Sequence, residues 1–278
     1  MATEVDQNAL ISALNELKRF IRTSLDNVEN DVAKGGSSQE IVNNKIRPLF
    51  GLMSAGAKFF NSVGVKNQKE AERLWEQFFQ ITEVRDNVEG LLQLEVEWDS
   101  FLKRLDVQMQ MSDTILSECP AAQMLSSDTR FIHVQTKENV SLNHLTELKD
   151  SKKLLEAQSL RVLVVSYGSL EGATFWLGQT GYEFDMLLDA ERVVYQAFGL
   201  GSSIRKVMKF KLMLHYSEFL VTNRQLPDVP PQFIDDLFQM GGDFVLDQGG
   251  KVIFSYPCKS PVDRPSATQI LAAVSAHS

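Results

Sequence analysis

The hydrophobic period changes once along this chain, and the change splits it into two kinds of structure. Residues 1–110 hold a single proline, Pro48, and keep a helical period throughout. Leu10, Leu14, Leu17, Ile21, Leu25, Val28 and Val32 recur at three- and four-residue steps, which places them on one helical face. Gly35 and Gly36 stop that helix, and Ser37 or Ser38 caps the next. The second helix is predicted over residues 39–62, bent near Pro48. A third carries Ala71, Leu74, Trp75, Phe78 and Phe79, and a fourth Leu91, Leu92, Trp98, Leu102, Leu105 and Met109. Four amphipathic helices of this length suit a bundle. Residues 23–63, with Asn43, Asn44, Ala55, Gly56 and Ala57, have a composition compatible with an interaction groove.

Residues 111–130 have no clean period and read as a connector that contains Cys119-Pro120. Beyond it the pattern becomes that of alternating strands and helices. Residues 131–136 alternate and, after the polar turn Lys137-Glu138-Asn139, residues 140–142 are expected to return as the second arm of a hairpin. Residues 146–158 then read as a helix. Residues 160–166 (LRVLVVS) form a β-branched apolar run of the kind found in strands buried on both faces. Helices are expected at 168–180, 190–198, 203–220 and 265–276, and a strand at 184–188. Pro227, Pro230 and Pro231 exclude continuous regular structure across 222–239. Residues 242–256 are the best hairpin in the chain, with Gly249 and Gly250 able to supply positive φ at its turn. The whole is expected to be an α+β chain in two parts: a helical bundle at 1–110 and a layered α/β domain at 131–278.

Composition excludes several function classes. With 28 Lys+Arg against 36 Asp+Glu, and no basic run, the chain lacks the clustered positive charge of a nucleic-acid binder. No stretch of about 18 apolar residues is present, so no membrane span is expected. The N-terminal residues are acidic and polar and do not form a signal peptide's apolar core. Two cysteines, Cys119 and Cys258, rule out a disulfide scaffold, and a reducing, cytoplasmic compartment is the expectation. Glu70, Glu72, Glu76, Glu83, Glu89, Glu95 and Glu97 suggest a carboxylate metal centre, but no histidine precedes His133, and such bundles need one. They read as solvated helix faces, and Trp75, Trp98, Phe78 and Phe79 as core. His133, His144, His215 and His277 have no ligand spacing, so neither metal nor cofactor is expected. Gly199-Leu200-Gly201 follows a helix and lacks a third glycine, unlike a dinucleotide loop. Ser166 and Ser169 lack the context of a nucleophile elbow. Lys206, Lys209 and Lys211 read as a solvated face open to an acidic partner.

Within the second part, residues 161–168 (RVLVVSYG), 184–189 (FDMLLD), 195–201 (YQAFGLG), 240–247 (MGGDFVLD) and 263–270 (DRPSATQI), with 172–180, form a recognisable series. It resembles the alkyl hydroperoxide reductase/thiol-specific antioxidant-like group that includes the peroxiredoxin-like 2 proteins and selenoprotein L. The resemblance covers about residues 131–270. The added helical region makes selenoprotein L the nearest in organisation. It implies a thioredoxin-like fold and a thiol or selenol redox role. The reacting atom would sit where a strand feeds a helix N-terminus, whose dipole and free N–H groups stabilise a thiolate.

That motif is absent here. There is no Cys-x-x-Cys and no Thr-x-x-Cys, and Thr114 to Cys119 has the wrong spacing. The resemblance therefore implies that a strand and turn, about 20 residues by the length of such elements, have been lost at Leu145–Thr146. The central strand between 160–166 and 243–247 would then be missing, leaving a closed-up or gapped sheet of poor stability. No catalytic residue carries over. The remaining thiols are Cys258, which Lys259 could activate slightly, and Cys119 beside Glu118. Three functions stand open: a family-level redox protein inactive in this form, a noncatalytic module whose helical half binds a protein partner, and a one-cysteine peroxidase using Cys258 or Cys119.

Overall fold

The computed structural model describes residues 6–111, 133–134, 141–224 and 236–276, with the backbone alone at 133–134 and 141–143. Cys119 and most of the expected connector, His277 and the three prolines at 227–231 lie outside the described residues. Contacts divide the chain into two compact units. One comprises Met1–Leu105 with Met208–Leu226, the other Asp106–Val207 with Pro227–Ser278. No described helix is long and apolar enough to cross a membrane.

The first unit is helical. Helix α1 (Gln7–Ala33) buries the stripe that its sequence period marks, from Leu10 to Val32, and Ala13 with it. Asp6 caps it by accepting from the Asn8 N–H at 3.3 Å. Gly35 and Gly36 follow at φ +78° and +139°. The single bent helix expected over 39–62 is instead a broken one. Ser38–Glu40 is one short turn, Ile41–Lys45 is π-helical and Arg47–Phe50 is a 3-10 turn. Only then does α2 (Gly51–Ser62) begin. Pro48 explains this, because it has no N–H and its ring collides with the carbonyl four residues back, so the turns before it widen.

Helix α3 (Gln68–Gln77) is capped by Asn67, which accepts from the Glu70 N–H at 2.9 Å. Of its expected core residues only Ala71 is buried, and Phe79 is exposed. Helix α4 (Thr82–Gln108) buries Val84, Val88, Leu91, Leu94, Trp98, Phe101, Leu102 and Leu105, while Leu92 faces outward. Trp98 Nε1 donates to the Met208 carbonyl at 2.8 Å, and the Phe210 N–H donates to Asp99 Oδ1 at 3.0 Å. These bonds hold the chain segment 208–221, far away in sequence, in this unit.

The second unit is built on a five-stranded sheet of order β3-β2-β1-β4-β5. Strand β1 (His133–Val134) pairs in parallel with β2 (Leu163–Ser166) and antiparallel with β4 (Gly242–Leu246). The central position is therefore occupied, contrary to the expected loss of that strand, and β2 and β4 do not close up on each other. Helix α5 (Ser141–Asp150) is continuous. Ser141 and Leu142, expected in a returning arm, open this helix, and no strand-to-helix break falls at Leu145–Thr146. Leu145 and Leu148, three apart and both buried, mark one helical face. Helix α6 (Lys152–Ala157) leads into β2. A cavity of about 560 Å3 is lined by residues 159–162 and 243–247 together with Leu148, Leu155 and Ile270.

All four residues of β2 are buried, and they alternate between two cores. Leu163 and Val165 join Tyr195, Phe198 and Phe244 on one face, and Val164 joins Leu145, Leu148, Leu155 and Ile270 on the other. Helix α7 (Leu170–Thr180) is capped by Ser169 and ends at Gly181 with φ +63°. Strand β3 (Asp185–Leu188) pairs in parallel with β2 and ends the sheet. Helix α8 (Val193–Ala197) begins after Arg192, a non-glycine residue at φ +57°. The helix expected over 203–220 is two, α9 (Ile204–Met208) and α10 (Phe210–Val221), separated by extended Lys209. Strand β5 (Val252–Pro257) completes the expected hairpin. Its turn is held by Asp247 Oδ1, which accepts from the Gly249 and Lys251 N–H groups, and Gly250 supplies the positive φ. Helix α11 (Ala267–Ser275) starts with a capping box between Ser266 and Gln269.

Candidate functional site

A helix start close to the end of a central parallel strand is the place in an α/β sheet where a reacting group gains most from backbone N–H donors. Here that place lies between Val134, the end of β1, and Ser141, the start of α5. The six residues between them lie outside the described residues. They read Gln135-Thr136-Lys137-Glu138-Asn139-Val140, and none carries sulfur.

A buried hydrogen-bonded chain of three side chains starts in the first turn of α5. His144, in the first turn of α5, lies 2.9 Å from Asp243 Oδ1 on β4. An ionised carboxylate only accepts, so Nε2 carries the proton and donates. Arg264 Nη1 donates to the other oxygen, Asp243 Oδ2, at 3.1 Å. The three side chains are no more than 5% exposed. Burial works against the Arg264 charge, but Asp243 beside it wins, and its pKa stands above the ordinary arginine value. Gly242 has no room for a side chain, since a Cβ there would lie 2.8 Å from the Phe244 ring and 3.0 Å from the Tyr256 carbonyl. A small residue before Asp243 thus fixes β4 against β5.

Cys258 follows β5 and is 3% exposed, with its N–H donating to the Gly241 carbonyl at 3.0 Å. Burial pushes its thiol up to about 12. Arg264 pulls the other way, and Asp243 and Asp263 reinforce the rise. The activating cation expected at Lys259 is not among the causes. What Lys259 contributes is its backbone N–H, which donates to Asp263 Oδ2 at 2.8 Å. A thiol held protonated and covered is a poor nucleophile.

The other conspicuous residues of the sequence series hold structure together. Asp189 accepts from the N–H groups of Val193, Val194 and Tyr195 at 2.8–3.2 Å and so caps α8. Tyr195 is buried and donates to the Val165 carbonyl at 3.0 Å, and burial raises its pKa. Asp263 accepts from the Tyr256 hydroxyl at 2.7 Å. Arg192 stacks over the Tyr167 ring at 4.7 Å and donates to Asp236 and Gln239. His215 lies 3.0 Å from Glu218. Among the described residues no group of three or more His, Cys, Asp or Glu could hold a metal ion.

The sequence singled out Cys258 and missed the His144–Asp243–Arg264 chain. The signal was present, because Asp243 and Arg264 both lie in the segments that carry the family resemblance. What sequence does not show is that the fold brings them together over 99 and 21 residues.

Neither the curated proteins nor the solved structures gave a match to this chain. A family model described as AhpC/TSA antioxidant enzyme matches residues 147–260. For this part of the chain the match supports a peroxiredoxin- and thioredoxin-like relationship, and at the family level a function of the thiol-redox type.

Proposed function

We propose that this protein is a selenoprotein L-like member of the antioxidant group that keeps the redox scaffold without the reacting atom, and that it acts without thiol or selenol turnover. One observation carries the reading. The approach from β1 to α5 contains no cysteine. The described thiol, Cys258, is buried and held protonated.

The test uses the purified 278-residue protein with a hydroperoxide and a dithiol reductant. The expected result is consumption no faster than the protein-free control. Turnover that disappears in Cys258→Ser or Cys119→Ser would establish a one-cysteine peroxidase and overturn the reading. A second experiment asks whether the scaffold still activates sulfur. Ser141→Cys installs a thiol at the first position of α5, and its alkylation is expected to titrate below the ordinary cysteine value near 8.5.

A further inference from the structure

We draw no further inference here: the strongest candidate, the cavity of about 560 Å3 between residues 159–162 and 243–247, lies at the start of β1, and the residues preceding that strand are outside the described ones, so nothing in the structure shows what covers it.

Discussion

Asp243 is the residue on which the second unit's interior electrostatics turn. Its two oxygens serve two different partners, His144 and Arg264. Asp243→Ala takes the Asp243 carboxylate away from the buried Arg264 guanidinium, and breaking a buried pair from one side costs about 3–5 kcal/mol. Urea unfolding is expected to show that loss, with Asp243→Asn less damaging because it can still accept one bond. Cys258 makes a second residue-scale prediction. Its folded value of about 12 lies above that of the unfolded chain, near 9, so in the interval between them the unfolded state has released a proton that the folded state keeps. The contribution is intact below pH 9 and is lost as pH rises toward 12. Tyr256, held up to about 12 by its bond to Asp263, adds to the same alkaline loss. Stability measured across pH 8 to 11 is therefore expected to fall more gently in Cys258→Ser than in the wild type. Thiol-reactive dye at pH 8 should label Cys258 only after denaturation.

Elements in this protein are repeatedly fixed by residues remote in sequence, and that decides which of them could be read in advance. Helix α1 was legible because its apolar stripe closes on itself at three and four steps, whatever it later packs against. The hairpin of β4 and β5 was legible because its turn residues, Asp247 to Lys251, are local. The start of α9 was not. Its cap is Asp106, 98 residues earlier, which accepts from the Ile204 N–H at 2.7 Å and the Ser203 hydroxyl at 2.7 Å. Burial raises the Asp106 pKa despite those bonds. Asp106→Ala is expected to cost about 1–2 kcal/mol, as losing a helix cap does, read as a lower denaturation midpoint. The central strand was misjudged for a related reason. The alternation over 131–136 marked a strand but assigned it to a local hairpin, because its true partners, β2 and β4, lie about 30 and 110 residues away, and the segment ending at Leu145 looks extended until Leu148 shows which face of a helix it shares. The charged chain at Asp243 escaped because a carboxylate on an apolar strand looks like any other until the fold supplies its histidine and arginine.

At the scale of the whole molecule, the chain leaves the helical unit, builds most of the second unit, and returns. Segment Met208–Leu226 groups with Met1–Leu105, and α10 packs along α2. The crossing needs glycine at position 56, where any Cβ would run into Ser217 and Leu214. Seven of the twelve α10 residues are buried, Phe210, Met213, Leu214 and Tyr216 among them. Without α10, the Gly56 face of α2 loses its cover, and each large apolar side chain uncovered forfeits about 1.5–3 kcal/mol. A fragment ending at residue 110 is therefore expected to be soluble only poorly and to melt well below the full chain, by circular dichroism and by binding of an apolar dye. Supplying a peptide of residues 206–224 is expected to restore both. Gly56→Leu in the intact chain should reproduce the fragment's defect in milder form, because it separates the same two helices without removing either.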